Sequence, residues 1–211
     1  LEYLRIADHS KASFRANGLN EVRLREQISE IRALNEQFDD FALIAGSEVD
    51  ILKDGSLDFD DDLLQELDYC VASVHNSFTL DEDTMTKRII RAMENEHVTM
   101  LGHVTGRLLL KRDPYAVNIE KIIACASETR TVIELNCSPY RLDMDWRWWK
   151  KAREKNVLCS INPDAHRTEQ LQSLSYGVRL ARKGWLRRND VLNTKSLKEV
   201  QAWLALPKSE R

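Results

Sequence analysis

Six short apolar, β-branched runs alternate with longer charged, amphipathic segments along the whole chain, and this alternation constrains the fold more than any other feature. A strand followed by a stretch long enough for a crossover helix, repeated in series, is the pattern of a parallel sheet. The runs cover residues 3–7, 41–52 with Gly46-Ser47 near the middle, 69–74, 98–102, 131–136 and 157–161. Helical spacing predicts helices at about 20–37, 59–66, 81–94, 117–127, 145–155, 168–183 and 196–204. Six strand-helix units are too many for a small open sheet and fall one or two short of a closed barrel. The chain also starts at Leu1 almost inside a strand. The expected fold is therefore a single α/β domain over residues 1–211, a TIM-like barrel lacking its first strand-helix unit.

Chemistry in such folds sits where strands run out, because side chains there are held by the sheet and face an open rim. Five of the six strand ends carry a residue able to bind a metal: Asp8 and His9, Glu48, His75, His103, and Asp164 with His166. Four of the five histidines belong to this set, and His97 alone reads as an ordinary surface residue. Taken singly, each is weak evidence; Asp164-Ala165-His166 by itself reads as a helix cap followed by a surface imidazole. Together they supply the mixed nitrogen and oxygen donors that Zn²⁺, Mn²⁺ or Fe²⁺ require. A nucleophilic site pairing Cys137 with a histidine is the competing arrangement, but it leaves Glu48, His75, His103 and Asp164 without a role.

Composition narrows the class further. A formal charge of −3 provides no general grip on nucleic acid, and the late cluster of Arg179, Arg182, Lys183, Arg187 and Arg188 reads as a solvated helix end. The four widely spaced cysteines read as buried thiols of a reducing compartment. No apolar run approaches the length of a membrane span, and no basic-then-apolar leader is visible, so a cytoplasmic location is expected.

Several segments, in order, resemble the PHP (polymerase and histidinol phosphatase) domain, most nearly the version at the C-terminus of bacterial X-family DNA polymerases. They are residues 3–10, Gly46-Ser47-Glu48-Val49-Asp50-Ile51-Leu52, Asp54-Gly55-Ser56-Leu57-Asp58, Ala72-Ser73-Val74-His75, Gly102-His103-Val104-Thr105-Gly106-Arg107, residues 141–148 and Asp164-Ala165-His166. The resemblance implies a distorted seven-stranded barrel with up to three divalent ions, Mn²⁺, Zn²⁺ or Fe²⁺. It further implies that Glu48 bridges two ions, that His75 and His103 complete one of them, that Asp164 serves the other, and that His9 and His166 serve a third. Glu48 and Asp164 are then the carboxylates of catalysis. Asp8 is expected to orient His9 or a ligand water, and Arg107 and Arg141 to contact phosphate. The family's opening His-X-His motif has no counterpart between Leu1 and Arg211, and Val104 and Pro163 stand where Pro and Thr are expected.

The implied activity is metal-dependent phosphoester hydrolysis, with DNA ends as substrate and an attached polymerase domain as context: a 3′-to-5′ exonuclease or a repair phosphodiesterase. The alternatives are a small-molecule phosphatase like histidinol-phosphate phosphatase, and a catalytically degenerate module with a structural or regulatory role.

Overall fold

A computed structural model describes residues 1–211. Six parallel strands form one sheet in sequence order: β1 (Tyr3–His9), β2 (Ala42–Asp50), β3 (Tyr69–Ser73), β4 (Val98–Leu101), β5 (Val132–Asn136) and β6 (Cys159–Asn162). The crossovers are α1 (Glu21–Asn35), α2 (Asp61–Leu64), α3 (Glu82–Glu94), α4 (Ile119–Thr129) and α5 (Trp146–Glu154), and α6 (Leu174–Lys183) and α7 (Leu197–Leu204) follow β6. The sheet curls into a half-barrel, as the strand count anticipated. Its two edge strands do not pair, yet the Arg5 guanidinium of β1 crosses the gap to donate to Ser160 Oγ and, at 2.9 Å, to Asn162 Oδ1 of β6.

Strand alternation separates two apolar layers. Residues such as Ala45, Val49, Ala72, Leu101, Ile133 and Ile161 pack outward against Leu24, Ile28, Met85, Ile89, Ile122 and Trp149 of the helices. Inward, Ile44, Tyr69, Val71, Met100 and Val132 fill the end of the barrel where the strands begin. Further along the same inward faces the residues turn polar: Glu48, Asp50, Glu134 and Asn136 are all buried. One strand thus supplies core at its start and chemistry at its end.

Local signals account for the helix starts. Asn20, Asp81 and Asn118 each accept a hydrogen bond from the backbone N–H three residues on, and Ser196 with Glu199 forms a reciprocal capping box. β2 runs unbroken through Gly46-Ser47, as expected; the Tyr69 ring lies against the α-carbon face of Gly46, where an added Cβ would lie 2.3 Å from that ring. One helix boundary differs from the sequence expectation. The expected helix at 168–183 divides into a 3-10 turn, Thr168–Ser173, and α6, since Gln170 Oε1 accepts from the His166 and Arg167 N–H groups and fixes a separate turn after the Asp164-Ala165-His166 strand end.

Candidate metal centre

Glu48, near the end of β2, is the hub of the rim. Its Oε1 lies 2.9 Å from His103 Nε2 and 3.2 Å from His75 Nε2, and its Oε2 lies 3.4 Å from His9 Nδ1. The two nearest imidazoles also meet each other, with His103 Nε2 3.2 Å from His75 Nε2. Donor atoms of His9, Glu48 and His75 all fall within 4.8 Å of one another. The parallel register explains the convergence: His9 is opposite Glu48 across β1 and β2, and His75 and His103 follow the ends of β3 and β4.

Burial opposes a charge on Glu48, but hydrogen bonds from His103 and His75 outweigh it and hold the carboxyl well below its usual range. Burial also draws the His75 pKa down, yet hydrogen bonds to Asp50 and Glu48 and their charges prevail and raise it to about 9. Partial burial lowers the pKa of His9, with the His75 charge adding to the fall and the Glu48 charge opposing it. Asp50 is fully buried, with Oδ1 3.2 Å from His75 Nδ1, and it accepts from Ser13 Oγ. It therefore fixes the imidazole so that Nδ1 faces Asp50 and Nε2 faces Glu48, the arrangement usual for metal-binding histidines.

Asp164 forms the second part of the rim, with a left-handed backbone at φ 51°. Its Oδ2 accepts from Asn136 Nδ2 at 3.0 Å and from Arg141 Nε at 3.2 Å. His166 is largely exposed; its ring centroid is 5.9 Å from that of His9, which places it on the same side of the opening. Arg141 Nη1 is buried without a hydrogen-bond partner. An open cavity of about 700 Å³ runs beneath, lined by Arg5, His9, Glu48, Glu134, Asn162 and Asp164 among others.

Two of the residues singled out in the sequence lie elsewhere. Asp8 alternates with His9 on β1, so its carboxylate leaves the rim and accepts from Gln27 Nε2 of α1. It does not touch His9. Arg107 is also otherwise engaged: its Nε donates to Arg141 O at 2.8 Å, Nη2 donates to Leu142 O, and Nη1 lies 3.4 Å from Asp145 Oδ2. It clamps the rim loop rather than facing a ligand. Cys137, the alternative nucleophile, points outward into the helix-facing core, with its thiol pushed up to about 12 by burial.

Other residues of the site were missed. Asp50 could have been found, because it shares a strand face with Glu48 two positions earlier. Glu134 accepts from the His103 backbone N–H at 2.7 Å and from Asn162 Nδ2 at 2.9 Å, tying β4, β5 and β6 together. Burial pushes it up to about 7, with the His103 imidazole opposing and the Asp164 charge reinforcing the rise. Inside an apolar run it reads as an isolated charge, and only the barrel's inward face gives it partners.

Comparison with known proteins adds relatives of two kinds. A Bacillus subtilis (strain 168) protein named DNA polymerase/3′-5′ exonuclease PolX is 45% identical over 203 residues, 96% of this chain. The chain spans only 36% of that protein's length. A probable phosphatase of Thermoanaerobacter sp. (strain X514) is 28% identical over 174 residues, covering 78% of this chain and 69% of the relative. Another, from Caldanaerobacter subterraneus subsp. tengcongensis, is 26% identical over 184 residues, covering 82% and 70%. No family model matches the chain. Likeness to an X-family polymerase along almost its whole length, on a half-barrel whose strand ends gather the motif residues at one rim, shows that this chain belongs to the PHP family.

Proposed function

We propose that the chain is a divalent-metal-dependent phosphoester hydrolase that acts on DNA ends in the context of an X-family polymerase. The observation that carries this reading is the gathering of three imidazoles around one buried carboxylate, Glu48, at the carboxyl ends of parallel strands. The residues fit a metal. His9 Nδ1 and His103 Nδ1 are buried without hydrogen-bond partners, and mixed imidazole and carboxylate donors suit Zn²⁺, Mn²⁺ and Fe²⁺. Glu48, His75 and His103 would hold one ion; His9, Asp164 and His166 would contribute to up to two more. A divalent ion supplies a Lewis acid and lowers the pKa of a bound water.

The chain's own residues perform the remaining work. Asp50 holds His75 in one tautomer, and Glu134 fixes the His103 backbone. Arg141 Nη1 offers an unengaged donor for a non-bridging phosphate oxygen beside Asp164. Desolvated in this way, a guanidinium stabilises charge that develops on the phosphoryl group.

DNA as substrate rests on the polymerase relative, which is named a 3′-5′ exonuclease and matches at higher identity than the probable phosphatases. No helix is long and apolar enough to cross a membrane. The test compares Mn²⁺-supplemented hydrolysis of single-stranded DNA with that of histidinol phosphate. DNA cleavage abolished by Glu48→Gln is the expected result. Rapid histidinol phosphate turnover without DNA cleavage would identify a small-molecule phosphatase instead, and tight metal binding with neither activity would identify a structural module.

A further inference from the structure

The loop that leaves β4 after His103 ends in a small hairpin that the proposed chemistry does not use. Leu108 and Arg112 pair in antiparallel fashion, with N–H to O distances of 2.9 and 2.7 Å. The base of the hairpin is anchored: Arg112 Nε and Nη2 donate to Gly106 O at 3.0 and 2.6 Å, and its guanidinium lies 4.2 Å from the Phe78 ring centroid. The tip is the opposite. Leu110 is fully exposed and holds a left-handed backbone at φ 64°, a conformation that a three-residue hairpin loop calls for and that costs a leucine energy.

This tip leans on the rim. The Leu109 N–H donates to Tyr140 O at 2.6 Å, and the Lys111 ammonium lies 5.3 Å from the Tyr140 ring centroid. Tyr140 is 60% exposed. Its neighbour in sequence is Arg141, whose Nε donates to Asp164 Oδ2 at 3.2 Å and whose Nη1 is buried without a hydrogen-bond partner. Consecutive residues have Cα atoms about 3.8 Å apart, so the ring and the phosphate-binding guanidinium arise from adjacent points of one loop.

We propose that Tyr140, Leu110 and Lys111 form a subsite for the unpaired terminal bases of single-stranded DNA, next to the phosphate held by Arg141. The inference rests on the DNA-end reading above and names the part of the substrate that reading leaves unplaced. Each residue has a physical role. The Tyr140 face stacks a base, which is sequence-tolerant because every base has a π-face. Leu110 supplies apolar contact at the base edge. Lys111, beside the ring, attracts the adjoining phosphate. A cation beside an exposed aromatic ring suits a charged, flexible strand of stacked rings.

The test measures equilibrium binding by fluorescence anisotropy, on the full 211-residue chain with Mn²⁺. The probes are a labelled single-stranded oligonucleotide with phosphorothioate linkages at its 3′ end, and the same oligonucleotide with its two 3′-terminal bases removed. The intact probe should bind about tenfold tighter, the effect of one stacked base. Tyr140→Ala should abolish that difference, and Lys111→Ala should weaken both probes. Leu110→Gly, which suits the left-handed backbone, should reduce the discrimination while leaving the thermal midpoint unchanged, an outcome that a purely structural tip would not give. Equal binding of the two probes by the unmodified chain, or discrimination that survives Tyr140→Ala, would overturn the subsite. Failure of both probes to bind would overturn the DNA reading itself.

Discussion

His75 lies between two carboxylates, and its protonation links metal binding to pH. With Asp50 on Nδ1 and Glu48 on Nε2, its pKa rises from the ordinary 6.5 to about 9 in the metal-free fold. A raised imidazole pKa stabilises the fold fully below the unfolded value and loses that contribution as pH climbs through the folded one. The chelator-treated chain should therefore lose thermal stability between about pH 6.5 and 9, and Asp50→Asn should flatten this slope. A metal ion needs the neutral imidazole, so binding at pH 7 should expel a proton. Calorimetric titration with Mn²⁺ in buffers of different ionisation enthalpy reads that proton directly; buffer-independent heats would contradict the assignment of His75. The two arginines of the rim separate by the same residue-level logic. Arg141→Ala should reduce phosphoester hydrolysis with little change in thermal midpoint, whereas Arg107→Ala, which frees Arg141 O and Leu142 O, should lower the midpoint. The sequence marks both only as arginines near motif residues. It cannot show that one guanidinium bonds Asp164 with its Nη1 left unpartnered and the other is consumed by backbone carbonyls.

At the scale of elements, the strands were legible because each is an apolar run ended by a polar residue, and the parallel register then determines which ends meet. Residues that hold these ends in place from the helices were not legible. Arg88 of α3 reads as one charged position among many on a surface helix, yet it is 3% exposed. Its Nε donates to Leu52 O at 2.8 Å, Nη1 to Asn76 O at 3.0 Å and Nη2 to Asn76 Oδ1 at 2.9 Å, with a further bond to Ile51 O. It therefore ties the segment after β2 to the residue that follows His75. Charge-assisted hydrogen bonds of this kind contribute on the order of 2 kcal/mol each, and they do not add fully. Arg88→Met should destabilise the chain by about 3 kcal/mol in a urea titration. It should also weaken metal binding, since His75 loses its support. Unchanged metal affinity in that variant would show that Asp50 alone positions the imidazole. Asp8 gives the converse lesson: adjacency in sequence to His9 suggested a shared role, while the two-residue period of β1 sends the two side chains to opposite faces.

For the molecule as a whole, the curl was legible from the number of strand-helix units, but the architecture of the opening was not. β1 and β6 face each other across a cavity of about 700 Å³, bridged by Arg5 to Ser160 and Asn162. Cross-strand ladder bonds do not join β1 to β6, whereas side chains on both edges reach across. The candidate donors come from both sides of this gap: His9 belongs to β1, Glu48 to β2, His75 and His103 follow β3 and β4, and Asp164 and His166 follow β6. An ion that binds only the folded form stabilises it by RT ln(1 + [L]/Kd), about 4 kcal/mol at a thousandfold excess over Kd. In a chain of this length each kcal/mol moves the midpoint by roughly 2–4 °C, so saturating Mn²⁺ should raise it by about 10 °C over the chelated chain. Glu48→Gln should remove most of that shift, because it takes the central carboxylate from every donor pair it serves. Asp164→Asn should remove less, because Asp164 is held by Asn136 and Arg141 and lies apart from the Glu48 cluster. Equal losses in the two variants would mean that the rim binds its ions as one unit; a large loss confined to Glu48→Gln would locate the structural metal between β2, β3 and β4.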